Sequence, residues 1–348
     1  MDRPHRGRRD GERALTAPED LVVLGTPVFG GPLPPPAIGR IEEVGARFVQ
    51  LSRDGRVHVE AEAAADPFAS ARVLFRGGMP AAVLDHVVGR CPNLEWIHSY
   101  SAGVERVATP LVRSRGLTVT NGRGVFSRPI AEYLVMMLLA VQRRLPQLLE
   151  LQRERTWQPL PGRELAGITV GIVGFGSIGA EVASLLAPFG TPVLATRRHP
   201  ERGAAEHPNV ELLSLSQLHE LLRRSDAVLV TVPLTDETAG LIGAAELQEM
   251  KEGAWLFNIA RGRLVDEIAL RRALEAGWIG GAVLDVFTEE PLPADSPLYD
   301  APNVIITPHT SWASDRVLDR SLDLFVDNLR RFTTAQPLRN VVDLEAGY

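Results

Sequence analysis

The stretch TVGIVGFGSIGAEVASLLAPFG, residues 169–190, decides the fold of the second half of the chain. A short aliphatic run leads into three glycines spaced as GxGxxG, and a helical pattern follows at once. The first glycine permits a tight turn, the second lets backbone approach a pyrophosphate, and the third lets the helix pack closely on the strand. The stretch therefore predicts a dinucleotide-binding βαβ unit. Its phosphate-facing residues are predicted to be Gly174, Gly176, Ser177, Ile178 and Gly179.

Short β-rich runs alternate with helical stretches on both sides of the glycine motif. This alternation is typical of parallel βαβ units, and 348 residues are enough for two ordinary domains. A helix is also predicted at 79–90. The first predicted strand begins at Leu21. The others are predicted at 46–51, 71–76, 94–99, 117–121, 168–173, 192–196, 227–232, 254–258, 281–286 and 303–307.

Two helices suggest how the domains are connected. The stretch 129–145 is apolar around nearly its whole circumference, which predicts burial between domains or at a subunit interface. An amphipathic helix from His309 to about Arg331 comes too late to belong to the second domain, so the chain is expected to return to the first. The predicted division is a disordered tail at 1–20, a substrate domain at 21–121 and 309–348, and a dinucleotide-binding domain at 122–308.

Composition argues against several classes of partner. The net charge of −6 offers no basic field for nucleic acid or an anionic membrane. The longest apolar stretch, Tyr133 to Val141, is far short of the roughly 20 residues that a membrane span needs. The single cysteine, Cys91, cannot form an internal disulfide, which favours a reducing cytoplasm. The histidines show no metal-ligand spacing, so no metal is expected.

Several motifs together resemble one family. They are SAGVE at 101, VGIVGFGSIG at 170, VPLTDETAGLIG at 232, NIARGRLVDEIAL at 258, LDVFTEEPLP at 284 and NVIITPHTS at 303. In this order they resemble the D-isomer-specific 2-hydroxyacid dehydrogenases, from about residue 21 to 343. The resemblance implies an α/β protein with two doubly wound parallel sheets: a flavodoxin-like substrate domain and an inserted NAD(P)-binding Rossmann domain. It also implies a homodimer.

The resemblance places three catalytic residues at Arg261, Glu290 and His309. Reduction of a 2-oxo acid needs a proton on the carbonyl oxygen, and a histidine can donate one near neutral pH. A neighbouring carboxylate favours the protonated imidazolium. Arginine offers a fixed fork of donors to the substrate carboxylate and to the developing oxyanion. The remaining predicted substrate-binding residues are Ser101, Ala102 and Gly103.

The stretch VLATRRHP, residues 193–200, predicts the cofactor. The family's ribose-binding aspartate falls on Arg197, which lacks an acceptor and attracts a 2′-phosphate. Arg198 adds a second charge and Thr196 a hydroxyl. The sequence therefore predicts a preference for NADP(H), with NAD(H) as the alternative. Further cofactor-binding residues implied by the resemblance are Val232, Pro233, Ala260 and Asp285.

Three functions remain open from the sequence. The first is a reductase of a small 2-oxo acid, like the NADPH-linked glyoxylate/hydroxypyruvate reductases. The second is an NAD-dependent dehydrogenase of the phosphoglycerate or D-lactate type, and the third is a non-catalytic, cofactor-sensing corepressor-like protein. Glu290 argues against the formate dehydrogenase branch, which carries glutamine there. Candidate pocket residues are Tyr100, Phe126 and Trp312, although Trp312 fits equally well as buried packing.

Overall fold

The computed structural model describes residues 21–28, 31–58, 66–201, 207 and 210–344. The tail predicted at 1–20 lies outside these residues. The chain divides into two compact units. The first contains the chain up to Gly122 and again from Asp319, and the second comprises Arg123–Leu318.

The first unit is built on a five-stranded parallel sheet in the order β2-β1-β3-β4-β5. This is the flavodoxin-like order. Buried residues fill most of each strand, as expected for a parallel sheet covered on both faces. Its elements are β1 (Leu21–Gly25), α1 (Pro35–Glu42), β2 (Ala46–Gln50), α2 (Pro67–Ser70), β3 (Ala71–Arg76), α3 (Ala81–Arg90), β4 (Trp96–Ser99), α4 (Pro110–Ser114) and β5 (Thr118–Asn121).

The second unit contains a seven-stranded parallel sheet in the order β12-β11-β10-β9-β6-β7-β8. The order grows in opposite directions from β6, so the sheet is doubly wound and the loop after β6 lies at the switch point where such sheets bind ligands. Its elements are α5 (Ser127–Gln142), α6 (Leu145–Arg153), β6 (Val170–Val173), α7 (Ser177–Leu186), β7 (Val193–Thr196), β8 (Val210–Leu213), α8 (Leu218–Arg224), β9 (Ala227–Val230), α9 (Ala244–Glu249), β10 (Trp255–Asn258), α10 (Glu267–Glu275), β11 (Gly281–Leu284) and β12 (Val304–Ile306).

The last helix, α11 (Val317–Thr333), supplies core residues to the first unit. The ring of Phe325 lies 4.6 Å from Phe75 and 5.3 Å from Trp96, measured between centroids. His98 is fully buried beside them, with Nδ1 2.8 Å from Oγ1 of Thr120. Burial lowers the pKa of His98 to about 3, because the charged imidazolium would lose its hydration.

One domain boundary and one strand differ from the sequence-based expectation. The chain re-enters the first unit at Asp319 rather than at 309, because the residues after His309 form a loop tied to the second unit. A strand that the pattern did not predict, β8, pairs with β7 at the edge of the second sheet. The remaining predicted strands are present, shortened by a few residues at their ends.

Helices α5 and α6 carry much of the exposed apolar surface of the second unit. One side of α5 is buried against the unit's own core, but Met136 is 52% exposed. No residue of α6 is buried, and Leu145, Leu149 and the following Trp157 are exposed. Across the described residues, we find no helix that is both long and apolar enough to cross a membrane.

Candidate active site

The glycine loop between β6 and α7 has the shape that a dinucleotide requires. Gly174 has φ = 101°, and a Cβ there would lie 2.6 Å from Cγ1 of Val232. A Cβ at Gly179 would lie 3.1 Å from the carbonyl oxygen of Gly174, so the helix packs closely on the loop. At Gly176 a Cβ would meet no atom within 4 Å. Glycine at 176 therefore leaves room above the loop, where a pyrophosphate would lie.

Helix α7 begins beneath this space without a side-chain cap. The backbone N–H groups at its start, around Ser177 and Ile178, are therefore available to an anion. Two threonines hold the loop. Thr231 Oγ1 donates to the carbonyl of Gly174 at 2.6 Å, and Thr196 Oγ1 accepts from the N–H of Gly174 at 3.0 Å.

Thr196, a predicted cofactor-binding residue, is the last residue of β7. It is 1% exposed, and its hydroxyl is used within the loop. Arg197 and Arg198 follow at the end of β7. The Arg197 side chain is half-buried, and no carboxylate among the described residues forms an ion pair with it. Arg198 is exposed and pairs with Glu237 at 3.4 Å.

The predicted residues after β9 lie beside the glycine loop. Val232 is buried against Gly174, because a Cβ at position 174 would lie 2.6 Å from its Cγ1. Pro233 is exposed, and its carbonyl accepts a hydrogen bond from Oγ1 of Thr238 at 2.7 Å. This bond fixes the chain direction after β9 and leaves the proline ring at the surface.

Arg261 follows β10, and its backbone is fixed by a buried neighbour. Asn258 Nδ2 donates to the carbonyl of Arg261 at 2.9 Å, and Asn258 Oδ1 accepts from the N–H of Ala260 at 3.2 Å. Nη1 of Arg261 donates to the carbonyl of Ala260 at 2.7 Å. Ala260 therefore helps to orient the guanidinium.

Gly262 brings the Arg261 loop against the loop that carries Glu290. A Cβ at this position would lie 1.9 Å from the carbonyl carbon of Phe287 and 2.2 Å from the N of Thr288. Only glycine permits this approach of two backbones. The glycine that follows Arg261 in the ARG motif is the sequence signal for this contact.

Glu290 and His309 form a hydrogen-bonded pair. His309 Nδ1 lies 2.8 Å from Oε2 of Glu290, and Oε1 accepts from the N–H of Phe287 at 3.0 Å. Partial burial opposes the charge of Glu290. The hydrogen bonds from His309 and Phe287, with the positive charges of His309 and Arg261, outweigh burial and lower the pKa of Glu290.

The protonation pattern of the pair follows from its acceptor. An ionised carboxylate can only accept, so Nδ1 of His309 carries the proton between the two side chains. Nε2 is then the ring nitrogen that does not bond to Glu290. The arrangement has the geometry of an acid–base pair.

The backbone of His309 lies in the left-handed region, with φ = 51°. Its N–H donates to the carbonyl of Thr307 at 3.0 Å, and its carbonyl accepts from Nε1 of Trp312 at 2.7 Å. The Trp312 ring meets Phe126 edge-on at 6.2 Å between centroids. Trp312 therefore packs behind the His309 loop, which fits the packing interpretation of this residue.

Asp285, a predicted cofactor-binding residue, follows β11 directly. It is fully buried, and its Oδ1 accepts from Thr307 Oγ1 at 2.6 Å and from the N–H of Thr310 at 2.8 Å. Oδ2 accepts from the N–H of Ser311 at 2.9 Å. No part of the carboxylate faces solvent, because the His309 loop uses it.

The predicted substrate loop of the first unit follows β4. The carbonyls of Ser101, Ala102 and Gly103 accept from Gly122 N, Asn121 Nδ2 and Ser101 Oγ, at 3.1, 2.7 and 2.9 Å. In the described part of the chain, no acceptor takes the N–H of Ala102 or Gly103. These N–H groups are therefore available to an acceptor from outside the chain.

No group of three potential metal ligands occurs within the described residues. The residues present fit a dinucleotide at the glycine loop and an organic acid at Arg261 and His309. The second unit thus brings together an imidazole, a carboxylate hydrogen-bonded to it and an arginine whose charge acts on that carboxylate.

Comparison with known proteins agrees with this geometry. The family model described as D-isomer specific 2-hydroxyacid dehydrogenase, NAD binding domain, matches residues 135–311. A glyoxylate reductase of Thermofilum pendens is 40% identical over 252 residues, covering 70% of this chain and 73% of the relative.

Solved structures extend the similarity to most of the chain. A D-isomer specific 2-hydroxyacid dehydrogenase of Xanthobacter autotrophicus Py2, in complex with NADPH and MES, is 30% identical with a TM-score of 0.81. An NADPH-dependent glyoxylate/hydroxypyruvate reductase of Sinorhizobium meliloti, in complex with NADP and sulfate, is 26% identical with a TM-score of 0.77. Each comparison covers 94% of this chain and 99% of the other. The chain therefore belongs to the D-isomer specific 2-hydroxyacid dehydrogenase family and is an NAD(P)-dependent enzyme.

Proposed function

We propose that this protein reduces small 2-oxo acids to D-2-hydroxy acids with NADPH, as a glyoxylate/hydroxypyruvate reductase does. The observation that carries the proposal is the hydrogen-bonded pair of His309 and Glu290, with Nδ1 2.8 Å from Oε2. The positive charge of Arg261 acts on the same pair, because it helps to lower the pKa of Glu290. The names of the similar reductases support the substrate class.

Each side chain has one chemical task in this proposal. Arg261 binds the substrate carboxylate and stabilises the negative charge that develops on the carbonyl oxygen. Nε2 of His309 donates a proton to that oxygen, and Glu290 stabilises the imidazolium before transfer. The nicotinamide, when bound, supplies the hydride to the carbonyl carbon. In the reverse direction His309 accepts the hydroxyl proton.

Backbone N–H groups are proposed to make further contacts with the substrate and the cofactor. The N–H groups of Ala102 and Gly103 would bind carboxylate oxygens, with Ser101 shaping the loop. The pyrophosphate would lie over Gly176 at the start of α7. Val232, Pro233 and Ala260 would border the cofactor.

Arg197 supports NADPH rather than NADH. It is half-buried at the end of β7, and among the described residues no carboxylate neutralises it. A guanidinium there would bind a 2′-phosphate by charge-assisted hydrogen bonds, whereas the ribose hydroxyls of NAD gain little. Arg198, already paired with Glu237, adds a more distant positive charge.

A second copy of the chain is the proposed partner. The exposed apolar surface of α5, α6 and the segment after α6 includes Met136, Leu145, Leu148, Leu149 and Trp157, and Trp157 is fully exposed. Such a surface is poorly tolerated in water, and a symmetric homodimer would cover it. The reduced, buried Cys91 is consistent with the cytoplasm as the location.

A substrate screen tests the proposal. Purified protein is assayed with glyoxylate, hydroxypyruvate, pyruvate, phenylpyruvate and 2-ketoisocaproate, each with NADPH and NADH. We expect the highest kcat/KM with glyoxylate or hydroxypyruvate and NADPH. Turnover of none of the acids, with cofactor still binding, would instead support a cofactor-sensing binding protein.

A further inference from the structure

Three side chains of the second unit connect α5 to the His309 loop. The hydroxyl oxygen of Tyr133 lies 2.7 Å from Oγ1 of Thr307, and Thr307 Oγ1 donates to Oδ1 of Asp285 at 2.6 Å. Asp285 then accepts from the N–H groups of Thr310 and Ser311, at 2.8 and 2.9 Å. The hydrogen-bonded chain therefore starts on a helix and ends on the two residues directly after His309.

The carboxylate of Asp285 determines which group donates the proton in each of these hydrogen bonds. The one hydroxyl proton of Thr307 is donated to the carboxylate of Asp285. Tyr133 must then donate its own proton to Thr307, because Thr307 has none left to give. The hydroxyls of Tyr133 and Thr307 thus donate in turn, and the buried carboxylate of Asp285 is the final acceptor.

Tyr133 is suited to remain a donor. Burial and the negative charge of Asp285 raise its pKa to about 12, although the hydrogen bond with Thr307 acts in the opposite direction. The phenol is therefore protonated throughout the pH range in which a histidine donates protons. It lies in the apolar cluster around α5, where a hydroxyl without a partner would be costly.

The loop needs such a restraint. His309 has φ = 51°, a conformation that a residue with a side chain adopts only when its surroundings hold it there. Thr307 precedes it by two residues, and Thr310 and Ser311 follow it directly. Asp285 thus holds the Thr307 side chain before His309 and two backbone N–H groups after it, and Tyr133 fixes the orientation of the Thr307 hydroxyl.

We propose that Tyr133 is a positioning residue for the proton donor, acting through Thr307 and Asp285 to hold His309 where Nε2 meets the substrate oxygen. The proposal rests on the proposed reduction of 2-oxo acids. It assigns Tyr133 no contact with substrate or cofactor.

The test uses the full-length protein with the variants Tyr133→Phe, Thr307→Val and Thr307→Ser. Ser225→Ala is the matched control, because the buried Ser225 hydroxyl also makes one hydrogen bond, to the Leu221 carbonyl at 2.7 Å. Ser225 precedes β9, at the amino ends of the parallel strands, whereas Thr307 follows β12, at their carboxyl ends. The first readout is hydrogen exchange of the peptide that contains residues 307–312, which needs no turnover. The second is kcat and KM for the 2-oxo acid, with NADPH affinity measured by fluorescence titration.

We expect Tyr133→Phe and Thr307→Val to speed exchange of the 310 and 311 amides by roughly 2- to 10-fold, the effect of one hydrogen bond. The same variants should lower kcat by a similar factor, with KM and NADPH affinity within about twofold of wild type. Thr307→Ser keeps the hydroxyl and should restore both readouts. Ser225→Ala should change neither.

Unchanged exchange in both Tyr133→Phe and Thr307→Val would overturn the proposal. So would a loss that Thr307→Ser fails to restore, or a rise in KM without a fall in kcat. If wild-type protein reduces no 2-oxo acid, the proposed function fails, and the exchange rates still decide whether the three side chains hold the loop.

Discussion

Nδ1 of His309 lies 2.8 Å from Oε2 of Glu290, and the same carboxylate accepts the N–H of Phe287 through its other oxygen. Glu290 is thereby held in one orientation, with its charge directed at the imidazole. The pair leaves Nε2 of His309 for a substrate. The pH dependence of the reaction should therefore depend on Glu290.

Glu290→Gln keeps the shape of the side chain and removes its charge. A negative charge beside an imidazole favours its protonated form, so removal of that charge should move the alkaline limb of the reduction profile to lower pH. The measurement is kcat/KM against pH. Glu289→Gln is the control, because this substitution removes an equal charge at an exposed position one residue away. An unmoved limb in Glu290→Gln would mean that the two side chains are not coupled in catalysis.

Arg197→Asp should reverse the cofactor preference. One charge-assisted hydrogen bond is worth on the order of 1.5–3 kcal/mol, so NADPH binding should weaken roughly 10- to 150-fold while use of NADH improves. Kd values from fluorescence titration and kcat/KM ratios measure both effects. Arg271→Asp, on α10, changes the net charge equally and should leave the ratio as it is. A ratio unaltered by Arg197→Asp would remove Arg197 from the phosphate site.

Trp157→Ala should weaken the homodimer. Trp157 is 100% exposed in the single chain, and a buried interface tryptophan commonly contributes about 2 kcal/mol or more, which is roughly 30-fold in Kd. Light scattering and sedimentation between nanomolar and micromolar concentrations measure the shift. A wild-type monomer at micromolar concentration would contradict the proposed dimer, and equal Kd values would exclude Trp157 from its interface.

His98 should make the protein less stable in acid. Its pKa is about 3 in the folded chain and 6.5 when unfolded, so between these values only the unfolded state binds the proton. The free energy of unfolding should be independent of this group above pH 6.5. Below that pH it should fall by up to about 1.4 kcal/mol per unit until pH 3.

Urea unfolding between pH 7.5 and 4 measures that slope. His98→Gln stays neutral and should flatten it, whereas His86→Gln, at an exposed position of α3, should not. Equal slopes for wild type and His98→Gln would show that the buried imidazole is not the group responsible.

Much of the fold follows from sequence because parallel strands are short apolar runs with helices between them. The glycine motif indicates its own strand, turn and helix, and Gly174 and Gly179 are required by backbone approach in the structure. The short strand β8, with the sequence VELL at 210–213, was not predicted, because it is partly exposed and lies at the edge of the sheet. Edge strands lack the continuous apolar signal of central ones.

Short motifs in the sequence contain Arg261, Glu290 and His309, to which the sequence analysis assigns the chemistry, and in the structure Glu290 and His309 form a hydrogen-bonded pair. The residues that hold these side chains in place were less predictable. Asp285 is an acidic residue near a strand end, and its sequence context does not reveal that it accepts three bonds from a loop some 25 residues later. Thr231, Asn258 and Thr307 were missed for the same reason, since their partners are set by tertiary structure.

The central claim is tested most directly by His309→Gln, assayed with NADPH and the preferred 2-oxo acid of the wild type. A general acid contributes about 10²- to 10⁴-fold, so kcat should fall by that factor while the Kd for NADPH stays unchanged. This result would identify His309 as the proton donor in an enzyme that reduces 2-oxo acids. Turnover near the wild-type rate by cofactor-bound His309→Gln would contradict the account.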